Sequence, residues 1–442
     1  MKTKLLLLAL GLATFAMTAQ HDDYWTGQDT GFSQESRGAS DISIVDENVV
    51  WVRAHDGNPD TNNNIQEYTM TSDGGATWTA GTINIGSPTS GIAMIHGISA
   101  TTAWLVAFPH ASGDDQGIFK TTDGGATWNK QETASYSDAA SFANVVYFWD
   151  ENNGFAQGDP VDGYYELYTT TDGGTNWTRV PSSDIPEPET GEYGFTSQIF
   201  VTGDAVWWTT NHGRIYRNYN KGVGAWEVFQ SPISNFSSES VSGEISFNDN
   251  DNGYLTDNTG LFWTTTNGGE TWNPIFPGGD GVVFPGNVAA IPGTNAVVVA
   301  GAGDLYGTAV SQDGGATFTT ICDTEQHLDT RFINGTTGWS GSFYSSETGI
   351  GIYKYTGPEI LSIADLHAKG FTSFPNPVKD IFKLGAKESI TNVSVVNLLG
   401  QEVYASQPSS LTHDIDMSNL PHGTYIVNIT IGDVAGSVKV VK

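Results

Sequence analysis

Cysteine, basic residues and long apolar runs are all scarce in this chain. Its 442 residues include a single cysteine, Cys322, so an internal disulfide is impossible and thiolate metal sites lack ligands. We expect a buried, inert thiol at this position. Only 18 Lys and Arg stand against 49 Asp and Glu, and the net charge of −31 repels phosphate backbones and anionic lipids. Beyond the N-terminus no apolar run approaches the ~18 residues of a membrane-spanning helix, so the sequence predicts no nucleic acid partner and no transmembrane segment.

The N-terminus carries the one sustained apolar run. It reads MKTKLLLLALGLATFAMTAQ, with Lys2 and Lys4 ahead of a run from Leu5 to about Phe15 and small residues at Ala16 and Ala19. This order of basic, apolar and small residues is that of a secretory signal peptide. We expect residues 1–19 to be removed and the mature protein to be exported.

The composition indicates a packed protein made of strands and turns. Apolar residues make up 38% of the chain and aromatic residues 12%, which is enough for well-packed cores. The 53 glycines and the many alternations of Val, Ile, Tyr and Trp with polar residues predict an all-β fold with many turns.

An eight-residue sequence, here called the box, is repeated along the first three quarters of the chain. It reads TTDGGATW at residues 121–128, and its third residue recurs at spacings of 50, 49, 95 and 46. The longest spacing contains NYNKGVGAW, residues 218–226, a degraded copy with one extra residue. A period near 48 residues indicates a stacked or radial repeat. The third residues of the five boxes are Asp73, Asp123, Asp172, Asn267 and Asp313.

Two short apolar runs that flank a tight turn precede each box. The seven turns lie near Asp46 and at residues 99–102, 150–154, 203–204, 249–253, 292–295 and 334–337. The seventh unit has no box, whereas DYWTG at residues 23–27 resembles the strand that follows a box. Seven units of four antiparallel strands, the last completed by the N-terminal strand, predict a seven-bladed β-propeller over residues 20–357.

The residues of the box suit a turn. Its Asp can accept backbone N–H groups, its Gly-Gly pair supplies the positive φ angles of a tight hairpin, and its Trp can pack between blades. The box resembles the Asp-box (BNR) repeats of sialidases, sortilin and xyloglucan-cleaving glycosidases. That resemblance implies structural turns remote from any active site.

Three stretches resemble a second, narrower family. They are SRGASDISIVDENVVWV at residues 36–52, GDPVDGYYELYTTTDGG at 158–174 and RFINGTTGW at 331–339. They are similar to seven-bladed proteins related to the photosystem II stability/assembly factor, over roughly residues 22–357. Members of that group are assembly or binding proteins or have no assigned role, so the resemblance implies fold more than function.

The C-terminal part uses different sequence patterns. After a linker at residues 358–371, the alternation in VSVVNLLGQEV and YIVNITIGDVAGSVKVV predicts a small Ig-like sandwich over residues 372–442. This segment resembles the type A C-terminal sorting domain of type IX secretion substrates. The resemblance implies export across the outer membrane of a Bacteroidota-type bacterium, then release or attachment to the cell surface; an ordinary Ig-like adhesive module is the alternative. The matching positions are Pro375 to Pro377, Leu399 to Gln401, Leu420 to Tyr425 and Lys439 to Lys442.

Strand direction predicts where a ligand binds. Loops between the second and third strands of each blade share one face, the loop face, with the loops that join blades, while the boxes occupy the opposite, box face. Four arginines near the loop face are candidates to bind a carboxylate or sulfate through bidentate contacts, and a solvated acidic rim is the plain alternative. The candidate residues of the loop face are Arg37, Arg53, His55, Asp159, Glu192, His212, Arg214, Asp257 and Arg331.

Two classes of function remain open from the sequence. The first is a secreted or cell-surface protein that binds an extracellular glycan or protein. The second is a glycosidase or sialidase-like enzyme that uses loop-face carboxylates; hydrolysis needs two carboxylates ~5 to 10 Å apart, and no Tyr–Glu pair of the sialidase kind can be assigned. Calcium is a possible cofactor at Asp56, Asn58, Asp60 and Glu67, which occupy positions 1, 3, 5 and 12 of a calcium-type loop, although Thr61 replaces its usual Gly.

Overall fold

The structure of the chain is a computed structural model. It describes residues 24–58, 61, 63–111, 113–236, 243–279, 281–360, 366, 369–397, 402–432 and 434–442, so the predicted signal peptide lies outside the described residues. The described secondary structure consists almost entirely of β-strands, with one 3₁₀ turn at Ser182–Asp184. Within these residues no helix has the length and apolar character needed to span a membrane.

The first strand, β1 (Trp25–Gln28), is followed by blades in which four consecutive strands form one antiparallel sheet. The strands of blade 1 are β2 (Arg37–Ile44), β3 (Val50–Asp56), β4 (Glu67–Thr71) and β5 (Thr79–Thr82). Those of blade 2 are β6 (Gly91–Gly97), β7 (Ala103–Phe108), β8 (Gly117–Thr121) and β9 (Asn129–Lys130). Those of blade 3 are β10 (Ala143–Phe148), β11 (Gly154–Val161), β12 (Tyr164–Thr170) and β13 (Thr178–Arg179).

Blades 4 to 6 repeat this order. The strands of blade 4 are β14 (Gly194–Thr202), β15 (Ala205–Thr210), β16 (Arg214–Asn218) and β17 (Glu227–Gln230). Those of blade 5 are β18 (Gly243–Phe247), β19 (Gly253–Asp257), β20 (Phe262–Thr265) and β21 (Asn273–Ile275). Blade 6 has a fifth strand, β22, which pairs in parallel with the outer strand β26. Its strands are β22 (Gly278–Gly279), β23 (Gly286–Ala290), β24 (Val297–Gly301), β25 (Gly307–Ser311) and β26 (Thr317–Cys322).

The last blade joins the two ends of the propeller. Blade 7 contains β27 (Thr330–Asn334), β28 (Thr337–Gly341) and β29 (Ile352–Tyr355), and its fourth strand is β1. The pairing of β1 with β29 is antiparallel and runs from Trp25 opposite Tyr355 to Gln28 opposite Ile352. The predicted closure of a three-stranded seventh unit by the N-terminal strand, and with it the seven-bladed propeller, is confirmed.

The innermost strands of the seven blades form a ring around the axis. Each of β2, β6, β10, β14, β18, β23 and β27 contacts the next, and β27 contacts β2. Side chains connect successive blades, because Asp329 Oδ2 accepts the amide of Ile42 at 2.6 Å and Asp41 Oδ2 accepts the amide of Ile95 at 2.6 Å. Backbone amides that the sheet leaves unpaired are thereby satisfied by carboxylates of the preceding blade.

Each box folds into the same hydrogen-bonded turn. In the second one, Asp123 accepts the amide of Thr127 at 2.9 Å and the hydroxyls of Thr127 and Thr121 at 2.6 and 2.8 Å. Gly124 and Gly125 have φ angles of 74° and 88°, which favour glycine. The amide of Gly124 also donates to the carbonyl of Thr101, in the turn between the first two strands of the same blade, at 3.0 Å. The boxes therefore lie on the face opposite the loops between second and third strands.

The Trp of the second box packs against the preceding blade. Trp128 of blade 2 has its ring centroid 6.4 Å from that of Trp51 and 6.1 Å from that of Tyr68, both in blade 1. Aromatic pairs at these distances add packing energy to the area they bury. Cys322, at 2% exposure, lies in the core between blades 6 and 7, as the sequence predicted.

The C-terminal strands form a separate antiparallel β-structure. The long strand β31 pairs with β30 and β33 along its first half and with β32 and β34 along its second. Alternate side chains such as Val393, Val395, Val427 and Ile429 are buried in its core, as the period-two pattern predicted. The strands are β30 (Thr372–Phe374), β31 (Ile381–Asn397), β32 (Glu402–Ser406), β33 (Ser410–Asp416), β34 (Thr424–Ile431) and β35 (Val434–Val441).

Candidate functional site

The candidate residues lie near the loop-face ends of their strands, but the structure divides them into separate groups. Arg53 and Arg331 both interact electrostatically with Asp41 and Asp329, which lie on or next to the innermost strands β2 and β27. The loop before blade 4 brings Glu192, His212 and Arg214 together. The other four make their hydrogen bonds, ion pairs and ring contacts with residues outside these two groups: Arg37, His55, Asp159 and Asp257.

Five charged residues form what we call the axial cluster: Asp41, Arg53, Glu244, Asp329 and Arg331. Arg331 contacts Asp329 Oδ1 through Nε at 2.9 Å and Glu244 Oε1 through Nη2 at 3.0 Å. Arg53 Nε lies 3.9 Å from Asp41 Oδ2. Arg331 thus lies between two carboxylates and Arg53 lies near a third, so carboxylates of the protein itself oppose the positive charge of both arginines.

Burial is the main cause of the altered pKa values of Asp41 and Glu244 in the axial cluster. Desolvation raises the pKa of Asp41 and that of Glu244 each to about 7, although the neighbouring arginines favour the ionised forms. Burial also opposes the charge on Arg331, but Asp329 and Glu244 outweigh it and hold the pKa of Arg331 above its usual range. The cluster therefore exchanges protons near neutral pH. The three acids of the cluster were not predicted from the sequence, because nothing in the spacing of β2, β18 and β27 shows that these strands bring Asp41, Glu244 and Asp329 together.

The loop before blade 4 buries a carboxylate. The Glu192 side chain is 0% exposed, and its Oε2 accepts Arg214 Nη1 at 2.8 Å and the amide of Glu189 at 2.8 Å. His212 Nδ1 lies 2.9 Å from Glu189 Oε2. Among the described residues, neither Glu192 Oε1 nor the hydroxyl of Tyr165 has a hydrogen-bond partner. Tyr165 is 0% exposed, so this nearby Tyr cannot reach a substrate as the nucleophile of a sialidase must.

Asp159 is a partly exposed candidate carboxyl with two neutral hydrogen-bond donors. Its Oδ1 accepts Asn144 Nδ2 at 2.8 Å and the amide of Gly194 at 3.1 Å. Burial raises the pKa of Asp159 to about 6, and these two neutral donors only partly offset it. No cation stands among its described partners, so ionisation of Asp159 is disfavoured by its surroundings.

The remaining candidate residues make contacts within the protein. Arg37 binds Glu67 through two contacts of 3.0 and 3.2 Å. Burial, together with Arg53, lowers the pKa of His55 to about 4, so this ring is neutral at pH 7. Asp257 Oδ1 closes its own loop by accepting the amides of Thr259 and Leu261, each at 2.9 Å.

The candidate calcium loop is organised by hydrogen bonds. Asp56 Oδ2 accepts the hydroxyl of Thr61 at 2.7 Å and the amide of Asn63 at 2.8 Å, and Glu67 is held by Arg37. Asp60 lies outside the described residues. No group of three or more His, Cys, Asp or Glu in the described ranges is arranged to hold a metal ion. Of the four predicted calcium ligands, Asp56 and Glu67 thus accept donors of the chain in this structure, and calcium binding at this loop stays a prediction.

Comparisons with known proteins agree with this architecture. Residues 92–234 match the family model of the photosynthesis system II assembly factor YCF48, and residues 372–442 match that of a secretion system C-terminal sorting domain. No curated protein matches the chain in sequence.

Solved structures show the same fold at low identity. A YCF48 bound to D1 peptide is 17% identical, with a TM-score of 0.52 over 76% of this chain and 96% of that one. YCF48 from Cyanidioschyzon merolae is 16% identical, with a TM-score of 0.51 over 75% of this chain and 98% of that one. The sorting domain marks proteins that the type IX secretion system exports. The chain is thus a seven-bladed β-propeller with the fold of YCF48, in which residues 92–234 match the YCF48 family model, and it carries a C-terminal sorting domain that directs it outside the cell or to the cell surface.

Proposed function

We propose that this protein is a binding protein of the cell exterior, whose loop face engages an extracellular protein or glycan. In this proposal residues 1–19 are a signal peptide, residues 20–357 form the binding propeller, residues 358–371 are a linker, and residues 372–442 direct export from a Bacteroidota-type cell. The boxes act as structural Asp-box turns on the far side of the propeller.

The proposal depends on one observation: candidate carboxylates of the loop face are buried or already accept hydrogen bonds from the protein. Glu192 is buried beneath Arg214, and Asp257 accepts three donors of its own loop. A glycosidase needs one carboxyl to protonate the leaving group and a second to act as base or nucleophile, both in reach of the substrate. Carboxylates that are already hydrogen-bonded or enclosed favour binding over hydrolysis.

A peptide or protein ligand has additional support. One of the similar solved structures is a YCF48 that holds a peptide. Because propellers of this kind can present a face to a polypeptide, we favour a protein ligand over a glycan for this chain as well.

The test is a screen for turnover alongside a screen for binding. Purified full chain is incubated with fluorogenic glycosides and with algal polysaccharides, and is also applied to a glycan array and to immobilised peptide libraries. We expect binding without hydrolysis. Turnover that is abolished by Asp159→Ala or Glu192→Ala would refute the proposal.

A glycan-active enzyme is the second candidate, and Asp159 is the observation that favours it. A partly exposed carboxyl with a pKa of about 6 is suited to donate a proton to a leaving group. The screen above decides this case through its pH profile, since an enzyme that uses Asp159 as acid loses activity as the pH rises past 6.

A further inference from the structure

Exposed apolar side chains gather on one sector of the propeller. In its described part, large hydrophobic residues with high exposure are concentrated in blades 5 and 6 and the connection between them, whereas three lie elsewhere, at Tyr193, Tyr219 and Val223. Soluble proteins seldom leave such side chains together in water unless a partner covers them. The concentrated residues are Leu261, Phe276, Val282, Leu305 and Tyr306.

A groove of about 450 Å³ runs through this sector, and we call it the blade 6 groove. Val282, Leu305 and Tyr306 form its apolar walls, and the buried ring of Phe284 forms its floor. Gly307 keeps the floor in place, because its φ is 136° and a Cβ there would collide with Phe284. The groove is large enough for one or two side chains of a partner.

The position of the groove agrees with a site on the loop face. Leu305 and Tyr306 belong to the loop between β24 and β25, and Val282 belongs to the connection that leads from blade 5 into β23. The amide of Gly281 donates to Phe318 O at 3.0 Å and that of Val282 to Thr320 Oγ1 at 3.3 Å, so the chain of the connection is fixed against β26. The wall that Val282 forms is therefore held in shape before a partner arrives.

The charge around the groove has one sign. Asp304 and Asp323 line it, and the chain contains no Lys or Arg between positions 222 and 330. His327, in the same stretch, is buried, which lowers its pKa to about 3 and leaves it neutral. The next cation, Arg331, is neutralised in the axial cluster. A partner that enters the groove thus meets apolar walls and two aspartates. It meets no Lys or Arg from residues 222–330.

We propose that the blade 6 groove binds a polypeptide segment in which an apolar side chain stands next to Lys or Arg. The apolar side chain enters between Leu305 and Tyr306, and the cation meets Asp304 or Asp323. A second copy of the chain is a poor occupant because it carries the same net charge of −31, and anionic lipid is disfavoured for the same reason. This inference rests on the proposed binding function and names the surface and the ligand chemistry.

The experiment uses the full chain and a random peptide display library. We expect the selected peptides to be enriched in Lys or Arg beside aliphatic or aromatic residues. Labelled copies of the selected peptides are then titrated by fluorescence anisotropy against the full chain and its variants. The double variant Leu305→Ser/Tyr306→Ser should weaken binding about tenfold or more, which corresponds to ~1.4 kcal/mol per factor of ten. Asp304→Asn/Asp323→Asn should reduce both the affinity and its dependence on salt.

Controls separate this inference from the proposed function. All substituted side chains are exposed, so circular dichroism should show the fold unchanged, and Tyr193→Ser on the loop face of blade 4 should leave peptide affinity unaltered. Three results would overturn the groove assignment. They are peptides that bind the Leu305→Ser/Tyr306→Ser variant as well as the unchanged protein, selection of acidic peptides, and failure of the library to yield any binding peptide. Binding at another loop would leave the general binding function standing. Self-association of the full chain that the double variant abolishes, measured by sedimentation, would make the occupant a second copy and would equally overturn the proposal.

Discussion

Replacement of Arg331 by Met tests the axial cluster most directly. The variant keeps an unbranched apolar stem but removes the contacts at 2.9 Å to Asp329 and at 3.0 Å to Glu244. The side chains of these acids are only 11% and 20% exposed, so two carboxylates would lose their cation in a poorly hydrated place. Loss of one partner of such a pair costs about 3–5 kcal/mol of unfolding free energy, and partial hydration of this site favours the lower figure.

The loss of unfolding free energy in Arg331→Met should also depend on pH. In the folded protein Asp41 and Glu244 have pKa values of about 7, above those of the unfolded chain, and removal of Arg331 raises them further. The folded variant therefore takes up protons at pH 5.5, which relieves the repulsion, whereas at pH 8 the carboxylates are charged. We expect the destabilisation to be smaller at pH 5.5 than at pH 8, by about 1.4 kcal/mol for each further unit of pKa shift.

Urea unfolding followed by tryptophan fluorescence measures this difference. Arg179→Met is the matched control, because Arg179 lies over the ring of Tyr164 at 4.1 Å and donates to the carbonyl of Val161 at 3.1 Å. It should cost less and show little change with pH. An equal loss for Arg331→Met at both pH values, or no loss, would refute the reasoning about the cluster.

Three other predictions follow from named contacts. Asp159 has a folded pKa of about 6, above its unfolded value, so its contribution to stability falls as the pH rises from 4 to 6. Asp159→Asn should flatten the stability profile by up to about 3 kcal/mol, and Asp162→Asn, at an exposed side chain of the same hairpin, is the control for the substitution itself. Trp25→Ala removes a side chain 8% exposed and its bond to Thr308 Oγ1 at 2.9 Å, and should cost about 3–5 kcal/mol in thermal unfolding, whereas Tyr219→Ala, at an exposed ring, should cost far less. Because Asp56 and Glu67 already have partners, the melting temperature should be the same with calcium as with EDTA, and a rise with calcium would restore the calcium loop.

The fold was predictable because its signals are local. The Asp-Gly-Gly turn depends on hydrogen bonds within eight residues, as at Asp123, and the count of hairpins then required a strand such as Trp25–Gln28 to complete the ring. The degraded copy at residues 218–226 forms a similar turn. Asn218 takes the place of the first Thr of the box and accepts the amides of Asn220 and Gly222.

The candidate site was predictable only in outline. Strand direction gave the loop face, but charge pairs also form between positions far apart in sequence: Arg331 meets Glu244 from blade 5 as well as its near neighbour Asp329, and Arg214 meets Glu192 from a loop between blades. Nothing in the spacing of residues tells which carboxylate a given arginine selects. The blade 6 groove could have been suspected from the absence of Lys and Arg between positions 222 and 330, although its apolar walls needed the packed loops to be seen.

The pairing of β1 with β29 has a consequence for how the molecule is made. Its two partners stand at opposite ends of the propeller sequence, at residues 25–28 and 352–355, so the circle stays open until nearly the whole propeller has been synthesised. Contacts of such long sequence separation form late in folding. In a rearranged chain that carries residues 24–28 directly after residue 357, the final blade would form from segments that are neighbours in sequence. This rearranged chain should fold faster than the chain with its natural order of strands.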